Sequence, residues 1–126
     1  MKETLPTTFQ RIESISIALL ALFIYLRMEF AWYWLPVLFL AFDLSALGYL
    51  VNTRVGAYIY NAVHNYFLPV GLLLVGYVSR NTPEWLWLVC LVWVFHIAVD
   101  RVMGYGLKHE DDFTHTHLGV IGKIKK

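Results

Sequence analysis

The chain has 126 residues, of which 59% are hydrophobic and only 15% are charged. About 25% of an ordinary soluble domain is charged, and a soluble domain of this length could not bury so much apolar surface in one core. The net charge of +1 and the lack of a basic stripe give no indication of a nucleic-acid partner. The composition therefore predicts a single-domain membrane protein whose main partner is the lipid bilayer.

Four apolar stretches follow one another, and each approaches the ~20 residues that cross about 30 Å of hydrocarbon. They predict helices at about residues 12–28, 35–51, 55–78 and 85–107. Because the connections are short, neighbouring helices are expected to run antiparallel. Pro69 lies inside the third stretch and is expected to kink it. The predicted fold is all-α: a four-helix transmembrane bundle in up-down order over residues 1–107, followed by a polar cytoplasmic tail at residues 108–126.

Basic residues predict the orientation of the bundle. If the N-terminus is inside, the outer side receives only Arg27 and Arg80. The inner side receives the other basic residues that flank the stretches, which are Lys2, Arg11, Arg54, Lys108, Lys123, Lys125 and Lys126. The positive-inside rule then predicts a multi-pass protein of the cell inner (plasma) membrane, with both termini in the cytoplasm.

Ionisable residues interrupt three of the apolar stretches. Asp43 lies in the second, His64 in the third, and His96 and Asp100 in the fourth. A charge at mid-bilayer costs about 2.5–3.5 kcal/mol, so these side chains are expected to contact one another rather than lipid. At 1.5 Å per residue, the first three all lie about 12–14 Å from the inner end of their helices. Asp100 follows His96 by four residues and shares its face of the helix.

Two imidazoles and several carboxylates beside an open side suit a divalent transition metal, such as zinc or manganese. The predicted metal ligands are Asp43, His64, His96, Asp100 and His117. A bound metal lowers the pKa of a water molecule toward ~7, and Asp100 or Glu13 would then transfer protons as the catalytic residue. Asn61, Asn65 and Arg101 are predicted to support the site. The leading hypothesis is a metal-dependent hydrolase that acts on an amphiphilic ester or phosphoester from the cytoplasmic side.

Other interpretations use the same residues. Buried polar side chains in membrane bundles also join helices by hydrogen bonds alone, which would make this a structural or accessory protein. A transporter or proton-relay protein uses the same residue types. Since four short helices enclose little volume, its pore would form between the protomers of a homo-oligomer. A haem held by His64 and His96 is disfavoured, because the carboxylate of Asp43 would lie beside it.

Several short motifs resemble a known family. Residues 100–108 (DRVMGYGLK) and 113–119 (FTHTHLG) are similar to the signature of the uncharacterised bacterial membrane family called domain of unknown function 4260. Further similar segments lie at residues 11–13 (RIE), 43–45 (DLS) and 60–64 (YNAVH), so the resemblance covers nearly the whole chain. Members carry Asp where this chain has His115, which favours His117 over His115 as a ligand. The H-x-x-x-D spacing also resembles that of membrane-bound metal-dependent hydrolases, by analogy only.

Overall fold

The computed structural model describes residues 4–122, which form an all-α bundle with one small hairpin. The helical elements are α1 (Leu5–Arg27), α2 (Trp34–Phe42), a 3₁₀ segment (Asp43–Leu50), α3 (Thr53–Val63), α4 (Phe67–Val78) and α5 (Glu84–Met103). Strands β1 (His115–Thr116) and β2 (Gly119–Val120) pair antiparallel in the tail. The 3₁₀ segment continues α2, and α4 continues α3, so there are four helical spans. The predicted four-helix bundle is confirmed.

Three of these spans are long and apolar enough to cross a membrane: Leu5–Arg27, Thr53–Val78 and Glu84–Met103. The second span, Trp34–Leu50, is apolar but shorter. Part of the orientation prediction rests on Lys2, Lys123, Lys125 and Lys126, which lie outside the described residues. The cytoplasmic location of both termini stays a prediction.

The outer helices end at different residues from those predicted. α1 begins at Leu5 rather than near residue 12, because Thr4 and Thr7 form a capping box: the Thr4 hydroxyl accepts from the Thr7 N–H, and the Thr7 hydroxyl accepts from the Thr4 N–H. α5 ends at Met103 rather than near residue 107. Its C-cap, Gly104, has a φ of 92°, a left-handed conformation that glycine adopts without steric cost.

The third span is interrupted at residues 64–66, before the proline that was expected to kink it. Pro69 instead lies in the first turn of α4, where a missing N–H removes no helical hydrogen bond. The side-chain oxygen of Asn65 accepts the N–H of Phe67 at 2.9 Å and so satisfies the first N–H of the new helix. The predicted third helix is therefore interrupted one turn before Pro69, where the proline ring would clash with the carbonyl of Asn65 in a continuous helix, so its predicted disruption by Pro69 agrees with the structure.

α5 lies at the centre of the bundle and packs against α1, α2 and α4. It carries the most completely buried side chains, including Val92, His96 and Ile97. The face of α1 that is buried in the bundle carries small residues at intervals of three or four, which are Ser14, Ala18 and Ala21. Large apolar side chains on the outward faces remain exposed, as lipid contact requires. This central helix also carries two of the predicted metal ligands, His96 and Asp100.

Candidate metal centre

Four of the predicted site residues meet inside the bundle. Asp43, His64, His96 and Asp100 each contribute one ligand atom, and these atoms all lie within 4.8 Å of one another. They come from the start of the 3₁₀ segment, the C-terminal end of α3, and α5. Both histidines are buried, Asp100 is largely buried, and Asp43 is exposed. The predicted convergence of side chains from separate spans is confirmed, and these four residues are called the cluster below.

Four distances within the cluster are close to those of ligand atoms around one small ion. Asp100 Oδ2 lies 3.3 Å from His64 Nε2 and 3.4 Å from His96 Nε2. Asp43 Oδ1 lies 3.4 Å from His96 Nε2, and the two Nε2 atoms are 3.0 Å apart. Zinc–nitrogen and zinc–oxygen bonds of about 2.0–2.2 Å place neighbouring tetrahedral ligand atoms roughly 3.3–3.6 Å apart. Of these four distances, three lie in this range and the imidazole–imidazole distance is shorter, while all the ligand atoms lie within 4.8 Å of one another.

The His64 ring is held in one tautomer and one plane. Its Nδ1 lies 3.0 Å from the Tyr60 carbonyl oxygen and 3.3 Å from the Ser45 hydroxyl. A carbonyl can only accept, so Nδ1 carries a proton, and in the neutral ring Nε2 then presents its lone pair to the cluster. The Tyr60 ring stacks on the imidazole with a centroid distance of 3.7 Å and an interplanar angle of 5°. A metal-binding histidine usually has such a carbonyl partner on its other nitrogen.

The His96 ring is held by aromatic packing. Phe39 and Phe42 lie against it, with centroid distances of 4.5 Å and 5.8 Å. Within the described part of the chain, its buried Nδ1 has no hydrogen-bond partner. An unsatisfied buried polar group costs about 1–3 kcal/mol. His96 thus lacks the partner on its second ring nitrogen that a metal-binding histidine usually has.

The interruption of the third span is stabilised by α5. Trp93 Nε1 donates to the Val63 carbonyl at 2.6 Å, and Arg101 Nη2 donates to the His64 carbonyl at 3.0 Å. These bonds satisfy carbonyls that the end of α3 would otherwise leave unpaired in an apolar environment. α5 therefore positions both imidazoles: it carries His96 itself and fixes the backbone that carries His64.

The predicted supporting residues hold backbone around the cluster. Asn61 Nδ2 donates to the Lys108 carbonyl at 2.8 Å, and Asn61 Oδ1 accepts the Lys108 N–H at 2.6 Å. Asn65 Nδ2 donates to the Asn61 carbonyl at 2.6 Å. Arg101 is buried and bonds the His64 backbone as described above. Asn61 thus attaches the start of the tail to α3. Asn65 and Arg101 bond to the backbone at the C-terminal end of α3.

Two predicted site residues lie outside the cluster. His117 was predicted to be a ligand, but its Nδ1 accepts the Leu107 N–H at 2.8 Å and its Nε2 lies 3.0 Å from Arg101 Nη1. Burial and the charge of Arg101 lower the pKa of His117. Glu13 is exposed on α1 and does not belong to the cluster. The tail folds back as a hairpin that uses His117 to contact α5, which reduces the converging set to four residues.

Sequence reasoning missed three neighbours of the cluster. Tyr60 contacts Asp100 Oδ2 through its hydroxyl at 3.4 Å, and its position one turn before His64 was the available signal. Ser45 lies 3.3 Å from His64 Nδ1 and belongs to the 3₁₀ segment Asp43–Leu50, which no pattern indicated. Lys108 is buried, and its ammonium lies 4.9 Å from the Tyr60 ring centroid. Desolvation by burial lowers the pKa of Lys108.

Comparison with known proteins gives a family but no activity. No curated protein and no solved structure shows significant similarity to the chain. Nothing in these comparisons supports the looser likeness to membrane-bound metal-dependent hydrolases. The model of the family described as Domain of unknown function (DUF4260) matches residues 7–121, a range that contains the whole cluster and the tail hairpin. The chain therefore belongs to the DUF4260 family.

Proposed function

We propose that this protein is a membrane metalloenzyme in which the cluster binds one divalent transition metal, zinc or manganese. The observation that carries the proposal is the approach of four ligand atoms, from three spans, to within 4.8 Å of one another. His64 Nε2 presents a lone pair and lies 3.3 Å from a carboxylate oxygen of Asp100. When the ring is neutral, these two atoms are both acceptors, and a metal ion between them would remove their repulsion.

The arrangement suits hydrolysis better than purely structural metal binding. His64, His96 and Asp100 are enclosed, whereas the Asp43 side chain is 53% exposed and marks the open side of the site. Catalytic sites combine enclosed protein ligands with one accessible position. A divalent metal held there would supply a nucleophilic water at neutral pH. Asp100, oriented by the Tyr60 hydroxyl, would accept the proton of that water as it attacks an ester or phosphoester. Glu13 is then not needed for proton transfer.

The direct test is elemental analysis of the detergent-purified protein. We expect about one zinc or manganese per chain in the wild type, with near-complete loss in His64→Ala and in His96→Ala. His115→Ala is the matched control, because this histidine pairs with Asp111 in the tail and lies outside the cluster. Size-exclusion profiles check that each variant is folded. A metal-free wild type, or metal content that both cluster variants retain, would disprove the metal centre.

A proton relay is the second candidate, and the contact between the two imidazoles favours it. The 3.0 Å distance between their Nε2 atoms is a hydrogen-bond distance, and a carboxylate lies beside each ring. Such a chain of groups can pass a proton between neighbours. This candidate predicts proton flux into liposomes by metal-free protein, with loss of the flux in Asp43→Asn. Metal-dependent hydrolysis without proton flux would eliminate it.

We also propose that the protein lies in the plasma membrane and that both of its termini face the cytoplasm. Arg11 and Arg54 flank the ends of spans that this orientation places inside, as does Lys108, whereas Arg27 and Arg80 lie at the opposite ends. Fusions of a reporter that is active only in the cytoplasm test the proposal. Activity is expected from a fusion after the tail and not from one in the connection between α4 and α5.

A further inference from the structure

Lys108, at the start of the tail, carries a buried ammonium group. The residue is only 5% exposed, and within residues 4–122 no group accepts a hydrogen bond from its Nζ. Instead, Nζ lies over three aromatic rings, at 4.0 Å from the ring centroid of Phe113, 4.9 Å from that of Tyr60 and 5.9 Å from that of Tyr105. Aromatic faces attract a cation most strongly when it is desolvated. Because lysine is almost never buried without a partner, these rings serve as the partner of the ammonium.

The backbone of Lys108 is fixed to the helix that carries Tyr60. The side chain of Asn61 in α3 forms two hydrogen bonds with it, at 2.6 Å and 2.8 Å. On the side of the tail, Lys108 forms an antiparallel bridge with Thr116 in β1. Because α3 and the hairpin hold the same residue, the ammonium is kept in place over the rings.

The Tyr60 ring lies between this ammonium and the cluster. One face of the ring stacks on the His64 imidazole, at 3.7 Å and 5°. Since a parallel ring occupies that face, the ammonium that lies over Tyr60 is on the opposite face. The hydroxyl at the edge of the same ring contacts Asp100 Oδ2 at 3.4 Å. A single aromatic ring therefore connects Lys108 with two members of the cluster.

We propose that Lys108 is a positioning residue of the cluster: its ammonium holds the Tyr60 ring from the face opposite His64 and so keeps the Tyr60 hydroxyl on Asp100. The inference rests on the proposed metal centre and assigns a further residue to it. Asp100 and Lys108 also interact electrostatically, because burial lowers the pKa of Lys108 while the negative charge of Asp100 acts in the opposite direction. Groups that orient metal-binding side chains contribute about 10- to 100-fold to metal affinity or activity.

The first measurement is the zinc dissociation constant of the detergent-purified full chain, by competition with a chromogenic chelator. Lys108→Met replaces the ammonium with an uncharged side chain of similar length, and binding is expected to weaken about tenfold. In a Tyr60→Phe background, which keeps the ring and lacks the hydroxyl, the same substitution should change the affinity little. Arg54→Met is the matched control and should bind like the wild type, because Arg54 is exposed and pairs with Glu110 of the tail, outside the cluster.

The second measurement follows the Tyr60 hydroxyl in metal-free protein. Tyrosine is labelled with ¹³C at the carbon that bears the hydroxyl, and the Tyr60 signal is identified in the NMR spectrum by its loss in Tyr60→Phe. Asp100→Asn changes the group that the hydroxyl contacts, so it should shift this signal in the wild type. In Lys108→Met the shift caused by Asp100→Asn should be largely lost, and in Arg54→Met it should persist.

The two measurements separate the inference from the proposed function. If the wild type binds zinc, an unchanged affinity in Lys108→Met overturns the positioning role, and so does an equal loss in the Tyr60→Phe background. A Tyr60 signal that still responds fully to Asp100→Asn in Lys108→Met overturns it in every case. If the wild type binds no zinc, the proposed metal centre is removed, and loss of that response alone upholds the positioning role. Lys108→Gln, which also lacks the charge, replaces Lys108→Met if the latter does not fold.

Discussion

Removal of the divalent ion is predicted to lower the thermal stability of the bundle. The cluster joins the second, third and fourth spans, so an ion held there as proposed would bind the folded chain and not the unfolded one. Such binding stabilises the folded state by about 2.7 kcal/mol when the free ion is at 100 times its dissociation constant. At roughly 4 °C per kcal/mol for a chain of this size, the melting temperature should fall by about 10 °C on chelation.

The single cysteine provides the assay. Cys90 is completely buried in α5, so a fluorogenic maleimide reacts with it only when the bundle opens. The purified protein is melted with a chelator, and again after zinc or manganese is added back. The shift of about 10 °C should vanish in His96→Ala, which loses a ligand, and persist in His115→Ala, which changes only the tail.

Two results would refute this reasoning. A wild-type melting temperature that does not respond to either ion would mean that the cluster does not bind them at the concentrations used. A shift of equal size in His96→Ala would mean that an ion stabilises the protein from a different place. Either result would leave the helical bundle as described and would remove the metal centre from it.

Three further variants test the surroundings of the site. Trp93→Phe removes the donor to the Val63 carbonyl, and the same melt should show a loss of about 1–3 kcal/mol together with reduced metal content. Gly56→Ala places a Cβ against the Tyr49 ring, so the free energy of unfolding should fall by about 1–3 kcal/mol. Because burial lowers the pKa of Lys108, the unfolded chain holds its proton to higher pH. Stability should therefore rise from that lowered pKa up to about pH 10.4, and urea titrations should show no such rise in Lys108→Met.

Matched controls exist for the first two variants. Trp85 is 63% exposed, so Trp85→Phe should leave both melting and metal content unchanged. Gly71 has no side chain or backbone near its Cβ position, and Gly71→Ala should be neutral or slightly stabilising because alanine favours helix. Losses as large in these controls would contradict the assignment of the effects to the Val63 carbonyl and the Tyr49 ring.

The convergence of the cluster was predictable because apolar stretches leave few choices for polar residues. Asp43, His64 and His96 lie at similar depths by helical rise alone, and lipid disfavours every alternative to contact among them. The form of the break at residues 64–66 was not predictable from periodicity. Pro69 indicates a disruption one turn before it, but the conformation there also depends on donors from another helix, Trp93 and Arg101.

The roles of the tail histidines could not be predicted from the sequence either. These histidines look alike in the sequence, but the hairpin pairs His115 with Asp111 and turns His117 toward Arg101. Asn61 anchors the tail by two hydrogen bonds to the backbone of Lys108, across 47 positions of sequence. Contacts of this range follow from the assembled bundle, so spacing within the tail could not distinguish a ligand from a residue that holds the hairpin in place.

The 3₁₀ geometry of Asp43–Leu50 changes the reach of the second span. The span has nine α-helical and eight 3₁₀ residues. With rises of about 1.5 Å and 2.0 Å per residue, it extends roughly 30 Å, against about 26 Å for an α-helix of the same length. Tighter winding thus lets a segment that is too short by residue count match the thickness of the hydrocarbon layer. The change of winding begins at Asp43, so the carboxylate at the open side of the site is also the point at which the backbone stretches.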